Sequence, residues 1–154
     1  EALGANAKSI SVAEVLPALN TGAVDGFDNT PLFTQAASWH QAITHYTVTA
    51  HIYQPALLIV NLKFYESLPE ELRTILIPSD RSLEKRGRKG IRALDPLLLK
   101  NLEAQKIVVT HLSDAERGAF KTATRSAWDK RLSAASPAGK ALFNAIQAAK
   151  TTAK

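Results

Sequence analysis

Asp25, Asp28 and Asn29 bring two carboxylates and an amide into one short stretch, with Gly26 and Phe27 between them. An amide NH2 donates to a carboxylate, whereas an ionised carboxylate only accepts. Asn29 therefore suits an anionic group on a solute, and Asp28 suits a hydroxyl, an amine or a cation. Each has a local alternative: Asn29 as a loop residue bonding its own backbone, Asp28 as the N-cap of a following helix. Asp25 and Gly26 fit a turn better than a contact. The two acids stand too close in sequence to oppose one another across a cleft. Without further oxygen donors they also make a poor calcium site.

The other residue types capable of chemistry form no catalytic pattern. The four histidines, His40, His45, His51 and His111, lack the His-x-x-x-His spacing that sets two ligands on one helix face. Ser9, Ser11, Ser38 and Ser67 sit in no Gly-x-Ser-x-Gly elbow, and no glycine-rich phosphate loop occurs. With zero cysteines, thiol nucleophiles, zinc ribbons and disulfides are excluded. The sequence predicts a protein that is not an enzyme, with no catalytic residues, no metal and no cofactor.

The elements that must position Asp28 and Asn29 alternate between helix and strand, which predicts an α/β class, helix-rich with few strands. Ser11 and Glu14 form a capping box that starts a helix over 12–20, and Gly22 stops it in a left-handed conformation. A strand is expected over 23–27, then a helix over 32–42 carrying Trp39. A long extended run follows over 45–61, with Tyr46, Val48, Ile52 and Tyr53 as β-formers and Pro55 as a bulge, edge or hinge. Helices over 63–67 and 70–76 precede a break at Pro78 and Ser79. A long helix over 81–105 has weak points at Gly87, Gly90 and Pro96. A strand over 107–111, a helix over 114–132 and a helix over 137–150 complete the chain, the last capped by Ser136 with Pro137 at its first position. Residues 151–154 are expected to fray.

At 154 residues, 45% hydrophobic and 21% charged, the chain can bury one sizeable core. No apolar run approaches the roughly 20 residues of a membrane-spanning helix. The net charge of +5 concentrates in two places. Arg81, Lys85, Arg88, Lys89 and Arg92 make one stripe on a helix, with Arg86 beside it and Asp80 and Glu84 as offsets. Lys121, Arg125, Lys130 and Arg131 form the second cluster. Such a stripe opens an alternative function, a basic helical binding module for anionic polymers such as nucleic acid. No interleaved aromatics support that alternative, and a solvated helix face is the better reading, so no nucleic acid is expected as a partner.

Residues 4–29, with Gly4-Ala5-Asn6, Glu14-Val15, Ala18-Leu19 and Gly22-Ala23-Val24-Asp25-Gly26, carry a series of motifs. So do Ala56-Leu57-Leu58-Ile59-Val60-Asn61 with the Lys63 to Leu72 stretch behind it, and Val108-Val109-Thr110 followed by Ser113-Asp114-Ala115-Glu116. In this order and spacing they resemble the periplasmic solute-binding proteins of tripartite ATP-independent (TRAP) transporters, the DctP-like family. The resemblance covers nearly the whole chain and joins the family pattern about midway, as a C-terminal half would.

The resemblance implies part of a two-lobed periplasmic-binding-protein-like fold that closes on an organic acid and delivers it to TRAP membrane permease subunits, in the periplasm. It places residues 1–50 in lobe II, with a ligand-side helix, strand and loop. Residues 51–80 become a crossing strand and a lobe I segment, and 81–154 a long spine helix with the C-terminal strand and helices. Among ligand-binding positions it puts Asn29 on the carboxylate, Asp28 on polar groups or a metal ion, and Tyr53 and Gln54 on the cleft wall. Val12 stands where relatives often carry an aromatic, which suggests a different or roomier pocket; Phe27 stands where they often carry glutamine or alanine, and either walls the pocket or packs inward. The family's carboxylate-clamping arginine falls upstream of Glu1. No Lys or Asn reproduces an arginine's paired donors, so this chain alone is expected to bind solute weakly or not at all. The expected protein partner is the N-terminal half of the same protein or a swapped homo-oligomer.

Overall fold

The computed structural model describes residues 1–77 and 81–152. The expected break at Pro78 and Ser79, the offset at Asp80 and the last two residues of the expected frayed tail lie outside them. The chain divides into two compact units, Ile10–His111 and a second formed by Glu1–Ser9 with Leu112–Lys154.

The first unit holds α1 (Val12–Asn20), α2 (Pro31–Ala36), a 3-10 turn (Trp39–Ala42), β1 (His45–Val48), α3 (Leu62–Ser67), α4 (Glu70–Leu76), α5 (Ser82–Ala104) and β2 (Val108–His111). β1 and β2 pair in parallel, His45 opposite Val108 through Val48 opposite His111. A parallel pair needs a long crossover, and here α3, α4 and α5 lie within it. Val15, Trp39, Leu102, Ile107 and the fully buried Thr34 form the core, where α1, α2, the 3-10 turn, the end of α5 and the sheet converge. Thr34 satisfies its hydroxyl by donating to the Thr30 carbonyl at 2.8 Å. Gln35 ties α2 to α5 by donating to the Leu98 carbonyl at 2.9 Å.

Local signals decide the start of the unit. The Ser11 N–H donates to the Glu14 carboxylate at 3.1 Å and the Ser11 hydroxyl at 2.7 Å. Those two bonds hold the Glu14 carboxyl below its ordinary range. Gly22 closes α1 at φ 71°. The strand expected over 23–27 is absent, and the reason lies in the same closure: the N–H groups of Ala23 and Val24 both return to the Ala18 carbonyl. A backbone spent on ending a helix is not available to a ladder.

Three further expectations change. The helix expected over 32–42 breaks at Ser38, which takes φ 60° between α2 and the 3-10 turn. The extended run over 45–61 pairs only along β1, because β2 offers four residues. Beyond it, Thr49 folds back onto the Thr47 carbonyl and Ala50 enters the left-handed region at φ 49°. Asn61, expected to end that run, instead caps α3, its side chain accepting from the Phe64 N–H at 3.2 Å. Within α5, Gly87, Gly90 and Pro96 leave the helix continuous. Arg81 precedes α5 at φ 52°, and it and Arg88 both grip the Glu84 carboxylate at 2.6 Å.

The second unit holds α6 (Asp114–Ala123), α7 (Arg125–Ser133) and α8 (Pro137–Thr152). Ser113 and Glu116 complete a capping box, and the Ser113 bonds hold the Glu116 carboxyl below its ordinary range. The single helix expected over 114–132 is divided at Thr124, whose hydroxyl bonds back to the Phe120 carbonyl at 2.9 Å and competes with helix continuation. The Ser136 hydroxyl accepts from the Gly139 N–H, as a cap before Pro137. Trp128 and Phe143 meet at a tilt, ring centres 6.0 Å apart, between α7 and α8. Thr151 and Thr152, expected to fray, belong to α8.

Candidate functional site

The loop between α1 and α2 is held from three sides. Phe27 packs edge-on against Trp39 at 4.9 Å, and Phe33 of α2 reaches the same indole at 5.3 Å. The Tyr46 hydroxyl of β1 donates to the Asn29 carbonyl at 2.8 Å. Thr30 caps α2, accepting from the Phe33 N–H at 3.2 Å, so Thr30 takes the capping role that Asp28 was offered as an alternative. Burial and the nearby charges of Asp95 and Asp28 push the Tyr46 phenol up to about 12. A phenol that stays protonated keeps donating to the loop.

The Asn29 side chain has a fixed orientation. Its Oδ1 accepts from the Thr30 N–H at 2.9 Å, so the local backbone bond expected as the alternative role of Asn29 is present. Only an acceptor can face an N–H, so the NH2 is the half the loop can offer to something else. Asp28 is exposed, and its Oδ2 lies 3.4 Å from Nε2 of His51. The other ring nitrogen of His51 meets the Thr49 hydroxyl at 2.6 Å. His51 therefore bridges the irregular segment following β1 to the loop before α2, a link the sequence reading missed. No spacing signal could have found it, since the two residues come together only through the fold.

Phe27, Asp28 and Asn29 share this loop. Val12 stands exposed at the start of α1, and Tyr53 and Gln54 lie exposed on the irregular segment after β1. Asp25 and Gly26 occupy the bend that leads into the loop. No group of three or more His, Cys, Asp or Glu suited to a metal ion occurs among the described residues. A separate shallow cleft of about 370 Å3 is lined by Tyr65, Glu70, Arg73, Thr74 and Ile77. There the Nε of Arg73 is buried with no hydrogen-bond partner among the described residues.

The chain belongs to the family of bacterial extracellular solute-binding proteins, family 7 (DctP), whose model matches residues 1–134. It is 30% identical over 108 residues to a solute-binding protein of Verminephrobacter eiseniae, covering 70% of this chain and 32% of that protein. It is 41% identical over 75 residues to the C4-dicarboxylate-binding periplasmic protein DctP of Rhodobacter capsulatus, 47% of this chain and 22% of that one. To the ectoine-binding periplasmic protein TeaA of Halomonas elongata it is 24% identical over 150 residues, 96% of this chain and 44% of TeaA. The solved apo structure of the ectoine-binding protein of the TeaABC TRAP transporter matches with a TM-score of 0.77 at 23% identity, over 99% of this chain and 50% of that one. That likeness establishes the fold as an α/β part of a periplasmic-binding-protein-like architecture. The chain spans half or less of the length of these relatives.

Proposed function

We propose that the chain is the C-terminal portion of a TRAP-type extracytoplasmic solute receptor that binds an organic acid and passes it to a membrane permease in the periplasm. The observation that carries this reading is the Asn29 amide, whose oxygen is committed to Thr30 and whose NH2 is thereby presented as a donor. In the same reading Phe27, Asp28, Val12, Tyr53 and Gln54 surround the solute with it, and residues 1–50 serve the second lobe. The similarity to a dicarboxylate-binding and an ectoine-binding protein supports a small carboxylate-bearing solute.

The partner that completes the site is the upstream half of the same protein. Leu57, Leu58 and Ile59 are 82%, 95% and 88% exposed in a stretch with no strand partner. An unbroken apolar run of this kind suits an interior strand of a sheet covered on both faces rather than an edge. Residues 51–80 then belong to the first lobe and the spine helix α5 serves both.

Succinate titration followed by tryptophan fluorescence tests the reading, with Trp128→Phe leaving Trp39 as the reporter beside Phe27. A succinate response that strengthens when the upstream half is added supports it. Absence of any response from the recombined protein, to succinate and ectoine alike, would overturn it.

A further inference from the structure

We propose that His51 is a specificity-determining residue of the Asp28 and Asn29 loop, offsetting the Asp28 charge so that the loop accepts a carboxylate. The inference rests on the receptor reading above and deepens it. An ionised Asp28 beside the Asn29 amide repels an anionic solute from the one donor the loop presents. His51 sits against that carboxylate, Nε2 to Oδ2 at 3.4 Å, with the Thr49 hydroxyl on its Nδ1 at 2.6 Å.

The ring has two protonation states, and the Thr49 hydroxyl can partner Nδ1 in both, accepting from an N–H or donating to the bare nitrogen. The charge around Asn29 differs between them. With His51 protonated the pair sums to zero, and with His51 neutral it carries one negative charge. The other titratable or charged groups of this neighbourhood are Tyr46, protonated and bound to the Asn29 carbonyl, and Asp95 of α5, which together with Asp28 acts on Tyr46. Carboxylate binding is therefore weaker where the His51 ring is neutral than where it is protonated. Both His51 and Asp28 are more than half exposed, so solvent and salt keep the effect to about two- to five-fold in affinity.

The test is an NMR titration of the 15N-labelled chain, recombined with the upstream half, with succinate, following the Asn29 side-chain amide at about pH 5 and about pH 8. The His51→Gln chain carries the solute's own titration as the baseline. The affinity ratio between the two pH values is expected to be about two- to five-fold larger in the native chain than in His51→Gln. His51→Lys is expected to hold the tighter affinity at both pH values. Asp28→Asn, which removes the charge being offset, is expected to tighten binding at the higher pH and keeps the proposal testable should a variant at 51 fail to fold. Equal ratios in the native and His51→Gln chains, or no tightening in Asp28→Asn, would overturn the role of His51 while leaving the receptor reading in place. Succinate that perturbs Asn29 in none of these proteins would count against the receptor reading itself, and the inference would fall with it.

Discussion

Tyr46 and Asn29 make opposite use of the same short loop: one fixes its backbone, the other presents a donor. Removing the Tyr46 hydroxyl by Tyr46→Phe leaves the Asn29 carbonyl half-buried without its donor, at a cost of about 1 kcal/mol in the stability of the Ile10–His111 unit. The phenol also gives that unit a pH dependence. Its folded value is raised to about 12 from 10.0, so its stabilising contribution is fully present below about 10 and is lost as pH rises through 12. Denaturant melts from neutral to strongly alkaline pH are expected to show a steeper loss for the native chain than for Tyr46→Phe. At Asn29 the matching experiment is Asn29→Asp, which replaces the NH2 by an acceptor. Succinate affinity of the recombined protein is expected to fall by about ten-fold or more by calorimetry, because a donor to a charged group is lost and a like charge is added.

Helix ends were legible at the level of elements because their causes are local. The Ser11 and Glu14 pair, Gly22, the Ser113 and Glu116 pair and Pro137 each act within a turn of the backbone, and α1, α6 and α8 begin where they say. The strand over 23–27 was misread because Val24 and Phe27 are β-formers, while the fate of the segment depends on where α1 sends its last hydrogen bonds. The extended run over 45–61 was over-read for a different reason: composition marks a residue as fit for a ladder but not the length of the partner, which β2 limits. In the site, Asn29 and Asp28 stood out as residue types, whereas the bridge through His51 joins residues distant in sequence and left no pattern to read. Ala50 marks where β1 gives way to the irregular segment. It holds φ 49°, a conformation glycine adopts without a Cβ clash. Ala50→Gly is expected to raise the unit's stability by up to about 1 kcal/mol in urea unfolding. A loss of stability would show that the methyl group packs rather than strains.

The whole molecule exposes more apolar surface than a self-sufficient domain of this size needs to. Besides residues 57–59, Leu83 and Ile91 on α5 and Ile75 on α4 are more than half exposed. Such faces invite association, and an unpaired apolar segment adds a strand edge to it. Leu58→Lys is expected to leave the melting of the isolated chain within about 0.5 kcal/mol of native, since the side chain touches little. Sedimentation velocity is expected to show less self-association in the variant, and recombination with the upstream half is expected to weaken. Unchanged association would place the sticky surface elsewhere.

The parallel ladder between β1 and β2 also has a kinetic consequence. Its two strands are separated by everything from Thr49 to Ile107, so the pairing forms only after a very long loop has closed. A chain this rich in helix would be expected to refold quickly from its local contacts alone. Stopped-flow refolding of the chain is instead expected to show fast recovery of most of the circular dichroism, followed by a slower phase as the two distant strands pair.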